Sequence, residues 1–314
     1  MNGLELSRSY FEEYGRPMLK EQFPQLLPFL AVGLVGSGSE RFGFDDEISK
    51  DHDFEPGFCI FLPGEDVVDR HDEFLLSRAY SKLPKEFLGF SRQLISPVGG
   101  ERNGVIRTAD FYQAEVGAAD GMLTNEQWLR ISDHALAEAI NGEIYFDNYG
   151  TFSAIREQIK NMPEDIRLKR IAGNLLLMDQ AGRYNFPRCL SHGEPEAASL
   201  ACHDYVNSAM KVFFLLCGSY MPYYKWSFRA LRQLPGGQEF AKKLSLVLCA
   251  DSRDRGIATQ KQELISSIEA KLSKRLVAEG LSKAEGAELS RHAYSVNDSI
   301  SDSNIRNLHI LAAI

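Results

Sequence analysis

Between Leu34 and Phe54 the chain reads LVGSGSERFGFDDEISKDHDF: two Gly-Ser steps, an acidic run, then Asp-His-Asp. On an extended segment alternate side chains share a face, so Asp51 and Asp53 point one way and His52 the other. Two carboxylates that close repel each other when ionised, and a divalent cation is the usual means of holding both charged. Mg2+ (or Mn2+) takes one or two carboxylates together with water and substrate phosphates. The small-residue turn supplies the complementary half. Glycines let backbone amides approach an oxyanion, and a serine hydroxyl and the amides of a helix start add donors. A phosphate cradle beside a metal-holding pair is the equipment of phosphoryl or nucleotidyl transfer. The competing reading of Asp51 and Asp53 is a solvated loop with helix-capping aspartates, in the company of Asp45, Asp46 and Glu47. Lys50 and Arg41 are phosphate neighbours on the first reading and flexible surface charges on the second.

The elements that must position these groups follow from hydrophobic patterning. FLAVGLVGS, residues 29–37, predicts a buried strand entering the turn, behind a helix over residues 5–23 that Pro24 ends. GFCIFLP, residues 57–63, predicts a second strand. A helix then presents Val67, Val68, Phe74, Leu75, Ala79 and Leu83 as its apolar face. NGVIRTADF predicts a third strand, WLRISDHALAEAING one helix closed by Asn141-Gly142, and EIYFDNYG a fourth strand. Asp147 caps the helix after that strand, and Glu143 has a similar local role. Beyond residue 150 apolar residues recur at three and four, and strand-like runs nearly vanish. The expected class is α+β: a mixed sheet with flanking helices in residues 1–150 and an all-helical domain in residues 151–314.

Composition bounds the partners. The net charge of −8 over 314 residues argues against extended nucleic acid and against a membrane surface, but not against a small anion held in a local pocket. No apolar stretch suits a membrane span or a secretory signal. Five scattered cysteines without a C-x-x-C suit reduced thiols, so a cytoplasmic protein is expected. In the helical half, RYNFPRCLSHGE and MPYYKW stand out as non-periodic clusters. Tyr223, Tyr224 or Trp226 offer a base a stacking face, and Arg188 or Lys225 offer a triphosphate a charge; the alternative is that these aromatics seal the interface between the halves. Cys189 has no His–Asp partner for nucleophilic work. A His-Asp metal phosphohydrolase is set aside, because His52 adjoins strands and the seven histidines follow no H-x-x-x-H spacing.

The Gly-Ser turn followed by Asp-x-Asp resembles the nucleotidyltransferase superfamily, with Gly43 four residues after Ser39 and eleven residues between Ser39 and Asp51. Gly36-Ser37 also fits, at thirteen, so the functional pair stays open. More narrowly, the segment from Gly36 to Phe54, with RYNFPRC and MPYYKWSFRALRQLP, looks like a bacterial family known as a domain of unknown function on that fold. The resemblance implies a nucleotidyltransferase-like first domain that moves a nucleoside monophosphate, AMP from ATP or another NTP, to a hydroxyl of a small-molecule or protein acceptor. Asp51 and Asp53 would hold the metal, and Gly36, Ser37, Gly38 and Ser39 the phosphates. The superfamily's third carboxylate has no clean match: Arg107 occupies its place, leaving Asp110 and Glu115 as substitutes, and Pro56-Gly57 interrupts the strand after the acid pair. The alternative expectation is a catalytically degenerate protein, regulatory or antitoxin-like, binding a nucleotide or a partner. The helical domain is the expected surface for a homodimer or protein partner.

Overall fold

The computed structural model describes residues 1–46, 55–92 and 102–314. They fall into two compact units, one of Met1–Thr124 and His134–Asn161, the other of Asn125–Asp133 and Met162–Ile314. The class is α+β: a mixed four-stranded sheet lies in the first unit, and the second is helical.

The first unit opens with α1 (Gly3–Tyr10), a π-helical turn (Phe11–Gly15) and α2 (Arg16–Gln22), which run on as one helix. Asn2 starts it through a reciprocal capping box with Glu5. Strands β1 (Ala31–Leu34) and β2 (Cys59–Leu62) precede α3 (Arg70–Ser81). A small hairpin, β3 (Glu86–Phe87) and β4 (Phe90–Ser91), leads towards β5 (Gly104–Arg107) and α4 (Thr108–Val116). After α5 (Asn125–Arg130), which belongs to the second unit, come α6 (Asp133–Ile140), β6 (Glu143–Asp147) and α7 (Thr151–Lys160). The sheet order is β5-β2-β1-β6, with β1 antiparallel to both neighbours and β2 parallel to β5.

Alternation along β2 sends side chains to two cores. Phe58, Ile60 and Leu62 join Leu6, Tyr10, Leu76 and Tyr80 on one face. On the other, the Phe61 ring lies 4.2 Å from that of Phe152 and 5.3 Å from that of Phe111. Both faces of β1 and β2 are covered, which is why their sequences are continuously apolar rather than alternating.

Two expectations need correction. Phe74 and Leu75 do not form the inner face of α3; they are 62 % and 37 % exposed, while Leu76 and Tyr80 are buried. Leu76, Tyr80 and Leu83 keep the i, i+4, i+7 spacing of a single stripe, and Phe74 and Leu75 fall beside it. The helix expected over residues 128–142 is two, α5 and α6, separated at Ile131 and Ser132. The break leaves the carbonyls of Trp128 and Ile131 to the Arg170 guanidinium, which also pairs with Asp133 at 2.7 Å.

In the second unit α8 (Glu164–Met178) continues through a π-helical turn (Asp179–Asn185) into α9 (Phe186–Ser191). Then follow α10 (Pro195–Leu216), α11 (Tyr224–Gln233), α12 (Gly237–Cys249), α13 (Arg255–Ala278), α14 (Leu289–Asp298) and α15 (Ser303–Arg306). Helix α8 packs against both α10 and α14, so two of its charged residues, Lys169 and Arg170, are buried. Lys169 Nζ donates to Asn297 Oδ1 at 2.8 Å and to the Leu308 carbonyl at 2.7 Å, which makes its burial tolerable. RYNFPRC, read from sequence as non-periodic, is helical here; the π turn shifts the periodicity by a residue. Among the described residues no helix is long and apolar enough to cross a membrane. All five cysteines are free.

Candidate functional site

Strand β1 delivers the chain to Gly36 at φ +102° and Gly38 at φ +134°, backbone angles that only glycine takes without strain. The turn is held from two sides. Asn141 closes a double hydrogen bond on Gly36, its Oδ1 accepting from the amide at 2.8 Å and its Nδ2 donating to the carbonyl at 2.7 Å. Ser37 Oγ donates to Glu138 Oε2 at 2.9 Å. From within, the Arg41 guanidinium, 2 % exposed, gathers the carbonyls of Val35 (2.7 Å), Ser37 (2.8 Å) and Arg102 (2.8 Å) and pairs with Glu40. Arg41 is therefore not a flexible surface charge. It is the internal brace of the loop.

Beside this turn lies a cavity of about 380 Å³. Gly36, Ser37, Arg41 and Arg102 line it together with Asp110 and Glu115 of α4, with Cys59 and Phe111 among its other walls. Gly38 and Ser39 are not among the lining residues; the Ser39 carbonyl instead accepts from the amides of Phe42 and Phe44. Of the two Gly-Ser pairs, Gly36-Ser37 is the one that lines the cavity. Burial pushes the Glu115 carboxyl up to about 7, the Glu138 carboxylate adds to the rise, and the Arg41 guanidinium opposes it.

Asp51 and Asp53, with Lys50 and His52, lie outside the described residues. Arg107 stands at the end of β5, in the place of the superfamily's third carboxylate, and has a structural task. Its Nη1 donates to the carbonyls of Pro63 (2.8 Å) and Val68 (2.7 Å), and its Nη2 meets Glu73 Oε2 at 2.6 Å. The carboxylates that do reach the cavity come one element later, from α4. Asp147 accepts from the amides of Gly150 and Ser153, both at 2.7 Å, and so caps α7. Glu143 pairs with Arg8. Arg188 and Lys225 belong to the second unit and are exposed, Arg188 lying over the Tyr184 ring at 5.6 Å. The cavity draws its lining wholly from the first unit.

The carboxylates at the cavity offer hard oxygens, which suit Mg2+. Among the described residues no three His, Cys, Asp or Glu side chains are grouped to hold a metal, so Asp110 and Glu115 would need further oxygens from the segment that carries Asp51 and Asp53 or from a substrate. Sequence reading missed Asn141 and Glu138 as supports of the turn. Asn141 looks like a helix-ending residue, and its bond to Gly36 spans 105 positions that no local pattern links.

Residues 128–227 match a family model described as "Domain of unknown function (DUF4037)". The match takes in RYNFPRC and MPYYKW and leaves the Gly-Ser turn outside it. No curated protein matches the chain, and no solved structure does.

Proposed function

We propose that the first unit binds a Mg2+-complexed nucleoside triphosphate, ATP in the first instance, and transfers its nucleoside monophosphate to an acceptor hydroxyl, releasing pyrophosphate. The observation that carries this reading is the shared cavity of the Gly36-Ser37 turn and the carboxylates Asp110 and Glu115. The turn and the Ser37 hydroxyl would meet the phosphates, the hydroxyl exchanging its present acceptor, Glu138, for a phosphate oxygen. Asp51, Asp53 and Asp110 would supply the carboxylates for Mg2+, which when bound neutralises phosphate charge. Glu115, with its carboxyl near neutrality, suits general-base work: it would take the acceptor proton as the oxygen bonds to the α-phosphorus and the bond to the bridging oxygen breaks. Positioning and charge neutralisation would supply most of the rate.

The test is calorimetric titration of a non-hydrolysable ATP analogue with Mg2+ into the wild type and the Asp51→Asn/Asp53→Asn variant. Binding at least tenfold weaker in the variant is expected; equal binding defeats the metal role. A second reading, a nucleotide binder without turnover, draws support from Asn141, which already satisfies both backbone groups of Gly36. It predicts the same binding with no pyrophosphate released for any hydroxyl acceptor.

A further inference from the structure

The second unit has a cavity of its own, about 320 Å³, between the π-helical turn Asp179–Asn185 and α13. Gln262, Ile265, Ser266 and Glu269 line it from α13, recurring at three and four and therefore sharing one face. Arg183 and Pro187 line it from the π turn and α9, and Ala287 closes it. The π turn seats closely because residue 182 is glycine: a Cβ there would lie 2.4 Å from the Tyr205 ring and 3.1 Å from Ile265 Cγ2. Such turns insert one residue into a helix and recur at functional sites.

The group that needs explanation is Glu269. It is 4 % exposed, yet its Oε1 has no hydrogen-bond partner. Ser273 Oγ, one turn further along α13, and Asp179 Oδ1 are buried and unpartnered as well. Buried polar atoms are almost always satisfied, and a carboxylate oxygen asks for a donor. Arg183 stands 3.9 Å from Asp179 Oδ1, beyond hydrogen-bond reach, so it offsets charge there without satisfying that oxygen. Burial, reinforced by the Asp179 carboxylate and opposed by Arg183, lifts the Glu269 carboxyl to about 7. Glu269 therefore lines a space of the volume of a small organic ligand, apolar at Pro187, Ile265 and Ala287 and polar at Arg183, Gln262 and Ser266, with its own Oε1 buried and in want of a donor.

We propose that this cavity binds a small organic cation, an ammonium or guanidinium group seated on Glu269 with its carbon chain against Ile265, Pro187 and Ala287. The inference stands apart from the triphosphate reading of the first unit. An organic cation fits better than a metal ion, because among the described residues no third acid, histidine or cysteine joins Glu269 and Asp179.

The full chain is titrated at pH 8, where Glu269 is ionised, with n-butylammonium and n-butylguanidinium chloride, n-butanol serving as the neutral control and calcium chloride as the metal control. Saturable one-to-one binding of at least one organic cation is expected, with affinity at least tenfold lower in Glu269→Gln and no saturable binding of butanol. The proposal is overturned if neither organic cation binds, if butanol binds as well as the cations, if Glu269→Gln binds unchanged, or if calcium alone binds. Should Glu269→Gln lose its helical circular dichroism, Gln262→Trp decides by filling the cavity: abolished binding supports the site, and retained binding overturns it.

Discussion

The Glu115 carboxyl titrates near 7 in the folded chain against a reference value of 4.5. The folded state therefore binds more protons than the unfolded one between those values. Linkage makes its contribution to stability full below about 4.5 and lost as pH rises through about 7. Glu115→Gln is expected to be more stable than the wild type at about pH 8, with a smaller difference at about pH 5. Urea midpoints of both proteins at the two pH values measure this, and an identical difference at both would contradict the burial. At this scale the sequence was legible where chemistry is local, as in the Gly-Ser turn and the Asp147 cap. It was not legible for Arg41, whose five-donor head finds carbonyls as far along the chain as Arg102, nor for Asn141, whose carboxamide mimics a strand partner for Gly36. A side chain that braces distant backbone leaves no periodic mark.

Elements were read best where burial imposed a pattern. The runs that became β1 and β2 are apolar throughout because helices cover both faces of the sheet, and that density survives any uncertainty in their ends. The two-residue strands of the β3–β4 hairpin carry too little sequence to show a period of two. In α3 the exposed Phe74 and Leu75 mimicked an inner face and displaced Leu76 and Tyr80 from it. The two outcomes separate cleanly in energy: Leu76→Ala is expected to cost about 2–5 kcal/mol through an uncollapsed cavity, whereas Phe74→Ala stays within about 0.5 kcal/mol. Chemical denaturation of the two variants reads the difference directly. Comparable losses in both would mean that α3 is rotated about its axis.

Across the whole molecule, 35 basic and 43 acidic residues leave the net charge at −8, and the chain visits its two units out of order. Residues 125–133 belong to the helical unit, although the first unit resumes at His134 and ends only at Asn161. No change of texture marks that excursion, because it is fixed by one buried guanidinium, Arg170, drawing on Asp133 and two carbonyls. A fragment of residues 162–314 is therefore expected to be less stable than one in which residues 125–133 are joined ahead of residue 162 by a short linker, since removing them takes from Arg170 its carboxylate and two carbonyl partners and from the unit its buried Trp128. Matching urea midpoints for the two fragments would refute this. The same clasp sets a timetable for birth on the ribosome, where chains fold from the N-terminus as they emerge. The Asn125–Asp133 stretch is made before its anchor at Arg170 exists, so it must wait, tethered to a sheet still awaiting β6, until α8 clears the exit tunnel.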